Sequence, residues 1–149
     1  MASIKQLTLV CDIEKQKLEK LHATYIQTKN YLFEQQQKLS GLENYRLDYI
    51  GQIKQQVALG VAAKTLIQHQ NFVGKLDKAC EQQINIINQA VLVVDQRKQH
   101  WMKQQQKYKA VLQLISRRQK QLLKDQNKQE QLVLNEFAIQ QYHRRHARS

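Results

Sequence analysis

The terminal stretch QYHRRHARS places His143 and His146 three positions apart, a spacing at which two imidazoles on a helix can share a metal ion. They stand beside Arg144 and Arg145 at the chain end, and the segment reads as a solvated basic end suited to acidic partner surfaces. Cys11 and Cys80 are too few for a zinc site and make no disulfide framework, so they read as reduced cysteines used as small apolar residues. The sequence has no glycine-rich phosphate loop and no nucleophile set beside a base. No enzymatic activity, cofactor or metal is expected. The chemistry on offer is that of surfaces.

Long helices must carry those surfaces. The 149 residues include no proline and four glycines, 24% are charged, and Gln, Lys, Leu and Glu abound. With a mean hydropathy of −0.67, this composition suits extended helices better than a sheet-containing globule. The net charge is +12 and the pI about 9.8, which admits nucleic acid, anionic membranes or acidic proteins as partners. The lysines are scattered among glutamines rather than gathered on one stripe, and no recognition motif appears, so a basic coiled-coil nucleic-acid-binding protein is the weaker alternative. The start MASIKQLTLVCDIEK has a lysine inside its short apolar stretch and does not read as a signal peptide. The most apolar run, INIINQAVLVV, is too short to span a bilayer and contains Asn85, Asn88 and Gln89. A cytoplasmic protein without membrane insertion is expected.

Steps of seven from Ile4 meet Cys11, Leu18, Tyr25, Leu32, Leu39, Arg46 and Ile53, all apolar except Arg46. A companion column three residues on runs Leu7, Glu14, Leu21, Thr28, Gln35, Leu42, Tyr49 and Gln56. These are the a and d columns of a coiled coil. A second series starts at Leu66 and runs through Val73, Cys80, Ile87, Val94, Trp101, Tyr108, Ile115 and Leu122. Its companions include Leu76, Ala90, Val111, Leu132 and Ile139, interrupted by His69, Gln83, Arg97, Gln104, Arg118 and Asp125. So many polar interruptions predict a soft, adaptable seam.

The second series is one residue out of step with the first. A one-residue slip turns a seam by roughly 100°, so the helix must break between residues 57 and 66, where Gly60 can take the left-handed conformation that ends a helix. The expected fold is all-α, a long antiparallel two-helix coiled-coil hairpin forming a single coiled-coil domain. Helix one covers about 4–57, the turn about 58–62, helix two about 63–141 and a basic tail 142–149. At about 1.5 Å per residue the helices would run roughly 80 Å and roughly 118 Å, leaving an overhanging C-terminal helix. Its apolar residues Leu122, Leu132, Phe137 and Ile139 need a partner, since such a helix is marginal alone. A parallel dimer of one continuous helix would have to tolerate the register slip and bury Gly60.

In this hairpin Leu42 lies level with Ala79, Tyr45 with Leu76, and Tyr49 with Phe72. Leu42, Tyr49 and Leu76 take d positions, and Tyr45, Phe72 and Ala79 take g. A g position flanks the seam and is usually charged. Apolar groups there on both strands widen the seam into a face that two helices cannot cover, which is a partner site unless the rings simply fold over the seam. Position alone leaves both open. A second swelling, YLF (31–33) opposite QAVLVV (89–94), reads as local thickening of the core, with another docking face as the alternative.

The stretch KLSGLENYRLDY (38–49), with Leu39, Leu42, Tyr45 and Tyr49, resembles the FliJ family of the bacterial flagellar type III export apparatus. So does GVAAKTLIQHQNFVGKLDKACEQ (60–82), with Gly60, Phe72, Leu76 and Ala79, and more weakly Trp101 and NEFA (135–138). Lys38 and Gln83 depart from the family pattern, which has glutamine and histidine there. The resemblance implies a non-enzymatic stalk that binds the cytosolic domain of the export gate FlhA through Leu42, Tyr45, Tyr49, Phe72, Leu76 and Ala79. It also implies that the helix ends insert in the hexameric ring of the export ATPase FliI, where Leu122, Leu132, Phe137 and Ile139 would face the ring. Export chaperones are further implied partners, and the implied location is the inner face of the cytoplasmic membrane at the flagellar base. The equivalent stalk of a virulence-type injectisome is the alternative machine.

Overall fold

A computed structural model describes residues 2–147. The fold is all-α: α1 spans Ile4–Leu59 and α2 spans Ala63–Ala147, with no strand among the described residues. No described helix is long and apolar enough to cross a membrane. The chain divides into two compact units, one of them Glu19–Lys103, the other made of the chain up to Leu18 and the chain from Gln104.

Helix α1 opens on a reciprocal cap. The Gln6 amide donates to Ser3 Oγ at 3.2 Å and the Ser3 amide donates back to Gln6 Oε1 at 3.0 Å, so two otherwise orphaned donors at the helix start are satisfied. At the other end Gly60 has φ +93° and its amide donates to the Val57 carbonyl at 3.2 Å. A Cβ would strain that backbone, and only glycine adopts it freely. Helix α1 thus ends at Leu59 rather than near 57. Helix α2 continues through Ala147 rather than stopping near 141, so the stretch expected as a tail is helical over its described part, and residues 148 and 149 lie outside the described residues. Arg144, Arg145 and His146 fall in its last turn, where positive charge complements the helix dipole. His146 Nδ1 lies 3.0 Å from the Tyr142 carbonyl, with its ring 4.0 Å from the Tyr142 ring.

Within Glu19–Lys103 the two helices form an antiparallel hairpin around the turn. Every a and d residue of α1 from Leu21 to Ile53, and of α2 from Leu66 to Trp101, is buried or half-buried, while most of the others face solvent. Trp101 stacks on Tyr25 at 5.4 Å and 11°, with the His22 ring at 5.1 Å. In the other unit the same columns pair Ile4–Leu18 with the stretch of α2 from Gln104 to Arg118. Beyond Arg118 every described residue of α2 is exposed.

The core is thin and partly polar. Only Leu7, Leu76 and Ala90 are buried apolar residues among those described, and they are matched by three buried glutamines, Gln35, Gln83 and Gln104. These glutamines are clamps. Gln83 Nε2 donates to both the Gln35 carbonyl (2.9 Å) and Gln35 Oε1 (2.8 Å). Gln104 Nε2 donates in the same way to the Glu14 carbonyl (3.0 Å) and to Glu14 Oε2. A buried amide is tolerable only while paired, so each clamp penalises any slip of one helix along the other. Replacing Gln83 with leucine strands the Gln35 amide and should cost about 1–3 kcal/mol. The Gln35→Leu/Gln83→Leu pair, with no polar group left unpaired, should recover most of that loss or exceed the parent. Thermal and urea melts followed by circular dichroism check this, and equal loss in single and double variants would contradict it.

Candidate docking surface

The tyrosine-bearing face lies in the hairpin unit, about three to four turns from Gly60 on α1 and α2. Tyr49, at d, is half-buried. Its ring packs edge-on against Phe72 with centroids 4.7 Å apart, and its hydroxyl lies 2.5 Å from His69 Nδ1. Tyr45, one turn earlier, is 52% exposed. It meets the same Phe72 ring edge-on at 6.3 Å and lies 6.5 Å from Tyr49. Three rings from two helices therefore form one cluster whose inner member is hydrogen-bonded and whose outer member faces water. Edge-to-face pairing of this kind adds about 0.5–1.5 kcal/mol per pair beyond area burial and fixes ring orientation.

Leu76, one turn past Phe72 on α2, is buried and only 7% exposed. Leu42, Phe72 and Ala79 are half-buried, with part of each accessible. On the opposite flank, Arg46 Nε pairs with Asp77 Oδ1 at 2.5 Å across the helices. The six sequence-expected residues are thus graded in depth, from Leu76 as floor to Tyr45 as rim. The sequence reading missed His69 and the Arg46–Asp77 pair. Both had a signal: His69 is a d residue, like Tyr49 of the other strand, and Arg46 is the one charged residue in an apolar column.

The second set of expected residues lies in the other unit, on the unpaired length of α2. Leu122, Leu132, Phe137 and Ile139 are all exposed, and they do not share one line. At about 100° per residue, Phe137 sits about 60° from Leu122, while Ile139 sits about 160° from Phe137. Leu123 and Leu134, also exposed, lie about 40° and about 60° past Phe137 on the side away from Leu122, and exposed Tyr142 lies between them and Ile139. Apolar groups ring this helix rather than striping it.

Among the described residues no group of three or more His, Cys, Asp or Glu side chains could hold a metal ion, and Cys11 and Cys80 are free. What the molecule presents is an antiparallel coiled coil with apolar, partner-sized surfaces. That describes an assembly component. A comparison with protein-family models matches residues 3–147 to the family described as Flagellar FliJ protein, and the chain belongs to that family. This places it among the proteins of flagellar protein export and flagellum biogenesis. Searches of curated proteins and of solved structures give no match.

The depth grading makes a stability prediction that separates rim from floor. Tyr45→Ala should shift the melting midpoint little, because about half of the ring is already in water. Tyr49→Ala removes the ring packed on Phe72 and leaves His69 Nδ1 without its partner, and should cost about 2–4 kcal/mol. Denaturant titration of the two single variants checks the order, and equal losses would mean both rings are core.

Proposed function

We propose that this chain is a non-enzymatic coupling stalk of the flagellar type III export apparatus. Its tyrosine cluster docks on the cytosolic domain of the export gate FlhA. The unpaired length of α2 inserts in the hexameric ring of the export ATPase FliI, promoting ring assembly. Spanning both, the chain links ATP hydrolysis to transport through the gate, at the cytoplasmic base of the flagellum.

The observation that carries the gate half is Tyr45, an exposed aromatic held in a fixed orientation by Phe72 and Tyr49 from below. An exposed ring already ordered by its neighbours loses little entropy on binding, which is the property of an interface anchor. The ATPase half is supported by the ring of exposed apolar side chains past Arg118. A flat partner could cover only one side of such a helix, whereas an enclosing wall could cover all of it.

Calorimetric titration with the FlhA cytosolic domain and pull-down with FliI test the two ends separately. Tyr45→Ala with Phe72→Ala should abolish gate binding while circular dichroism keeps the parent helicity and ATPase binding persists. Deleting residues 122–149 should impair ATPase binding and spare the gate. The opposite pattern would overturn the assignment of ends. Gate affinity should change little with salt, because the contact is apolar. Nucleic-acid affinity that falls steeply with salt, the mark of phosphate contacts, found together with no binding to the gate, would instead favour nucleic acid as the partner.

A further inference from the structure

The two flanks of the hairpin seam differ in chemistry. In an antiparallel pair the g positions of both helices share one flank and the e positions share the other. The e flank mixes charge with apolar groups: Lys29, Glu43, Asp77 and Lys98 stand among Ile50, Ile84 and Val91, so its apolar run on α2 is two heptad steps long. On the g flank α2 presents four apolar residues at consecutive heptad steps, Phe72, Ala79, Ile86 and Val93, and the row ends at His100 and Lys107. Across from it α1 contributes Tyr45 and Tyr31, separated by Lys38 alone, a residue whose long stem can lie along apolar surface with its charge in water. Tyr45 touches Phe72 across this flank.

Two heptads from Tyr45, about 21 Å along α1, the same flank opens into a groove of about 350 Å³. Tyr31, Ile86 and Val93 line its sides, buried Ala90 lies among them, and uncharged Gln27, Thr28 and Gln89 complete the lining. Tyr31 is 49% exposed, Ile86 38% and Val93 39%, so these side chains do not thicken the core as the sequence suggested. No residue lining the groove is charged, in a chain where 24% of residues are.

We infer that the docking surface does not stop at Ala79 but continues along the g flank to the groove between Tyr31 and Val93, where an uncharged apolar helix of the same partner lies as a third strand. The inference rests on the tyrosine cluster being the gate-docking site. A two-stranded coil needs apolar residues only at a and d, and widening the stripe to g on one flank is what a third helix requires. The small Ala90 lets a partner side chain descend between Ile86 and Val93, and the neutral lining spares an apolar helix any unpaired charge. Contiguity argues for one occupant: the row from Phe72 to Val93 has no break on α2.

The test is calorimetric titration of the full chain with the gate's cytosolic domain, in variants that leave the seam intact. Ile86→Ser with Val93→Ser, and separately Tyr31→Ser from the other helix, should each weaken binding about tenfold or more with unchanged helicity and sedimentation. Leu92→Ser removes as large an exposed side chain from outside the flank and should leave affinity unchanged. If Tyr45→Ala abolishes binding while both groove variants bind like the parent, the extension is wrong and the docking reading stands. If Tyr45→Ala binds like the parent, the docking reading fails and the extension with it. If Leu92→Ser weakens binding as much as the groove variants, or if the parent self-associates through the groove and the variants are monomers with parental gate affinity, the third-strand helix is overturned.

Discussion

Register between the two helices is the constraint on which the surfaces of the paired coil depend. The face near the turn exists only because Tyr45 and Tyr49 of α1 both meet Phe72 of α2. A slip of one residue would rotate each of these rings off its flank, and a slip of a whole heptad would keep the flanks but separate the rings. Apolar a and d residues alone specify alignment weakly, because one heptad of leucines and isoleucines fits another almost as well. The glutamine clamps remove that freedom. Gln83 and Gln104 each donate to a carbonyl and a side-chain oxygen on α1, in different units of the molecule, and the residue numbers of both pairs add to the same total. The Tyr49–His69 hydrogen bond obeys the same rule.

Such a seam trades stability for specificity. With three buried apolar residues among those described and as many buried glutamines, the core contributes little hydrophobic free energy for its length. Much apolar surface is left outside: Tyr31, Tyr45, Leu92 and Phe137 are all exposed. A compact domain would treat that as an error. In the proposed stalk, that uncovered apolar surface is what the partners would complete.

The fold was largely legible in the sequence because a two-helix coiled coil has almost no tertiary structure beyond its heptads. The two a/d columns, the slip between them and Gly60 together determined the hairpin, and most of the half-buried positions from Leu21 to Ile53 and from Leu66 to Trp101 are residues those columns name. They did not determine its alignment: the expected level pairs, such as Tyr49 with Phe72, lie three residues from the observed one, in which Tyr49 meets His69 and Gln35 meets Gln83. What escaped was the meaning of the polar entries. His69, Gln83 and Gln104 counted as interruptions when read along one helix, since a side-chain amide in a column says nothing of what faces it. Set across the hairpin, each has a partner on α1 and becomes a restraint rather than a soft spot. The end of α2 escaped for a different reason: the apolar column runs out at Ile139 while the helix does not, and the basic residues at 144–146 that suggested a solvated tail also favour a helix C-terminus.

Depth within the tyrosine face was equally hidden. The sequence places Leu42, Tyr45, Tyr49, Phe72, Leu76 and Ala79 together but assigns them equal standing, because heptad letters give direction and not depth. Depth follows from side-chain length against the gap between helices. Leu76 fits wholly within that gap, whereas the longer tyrosine at 45, set one position outside the seam, must turn along the flank and leave half its ring in water. Its orientation is then fixed by Phe72 and not by solvent. A site assembled this way inherits its geometry from the clamps some distance along the coil, so substitutions that loosen Gln83 against Gln35 would blur the rings without touching them. The stability of the seam and the sharpness of the tyrosine face are therefore one property of the same register.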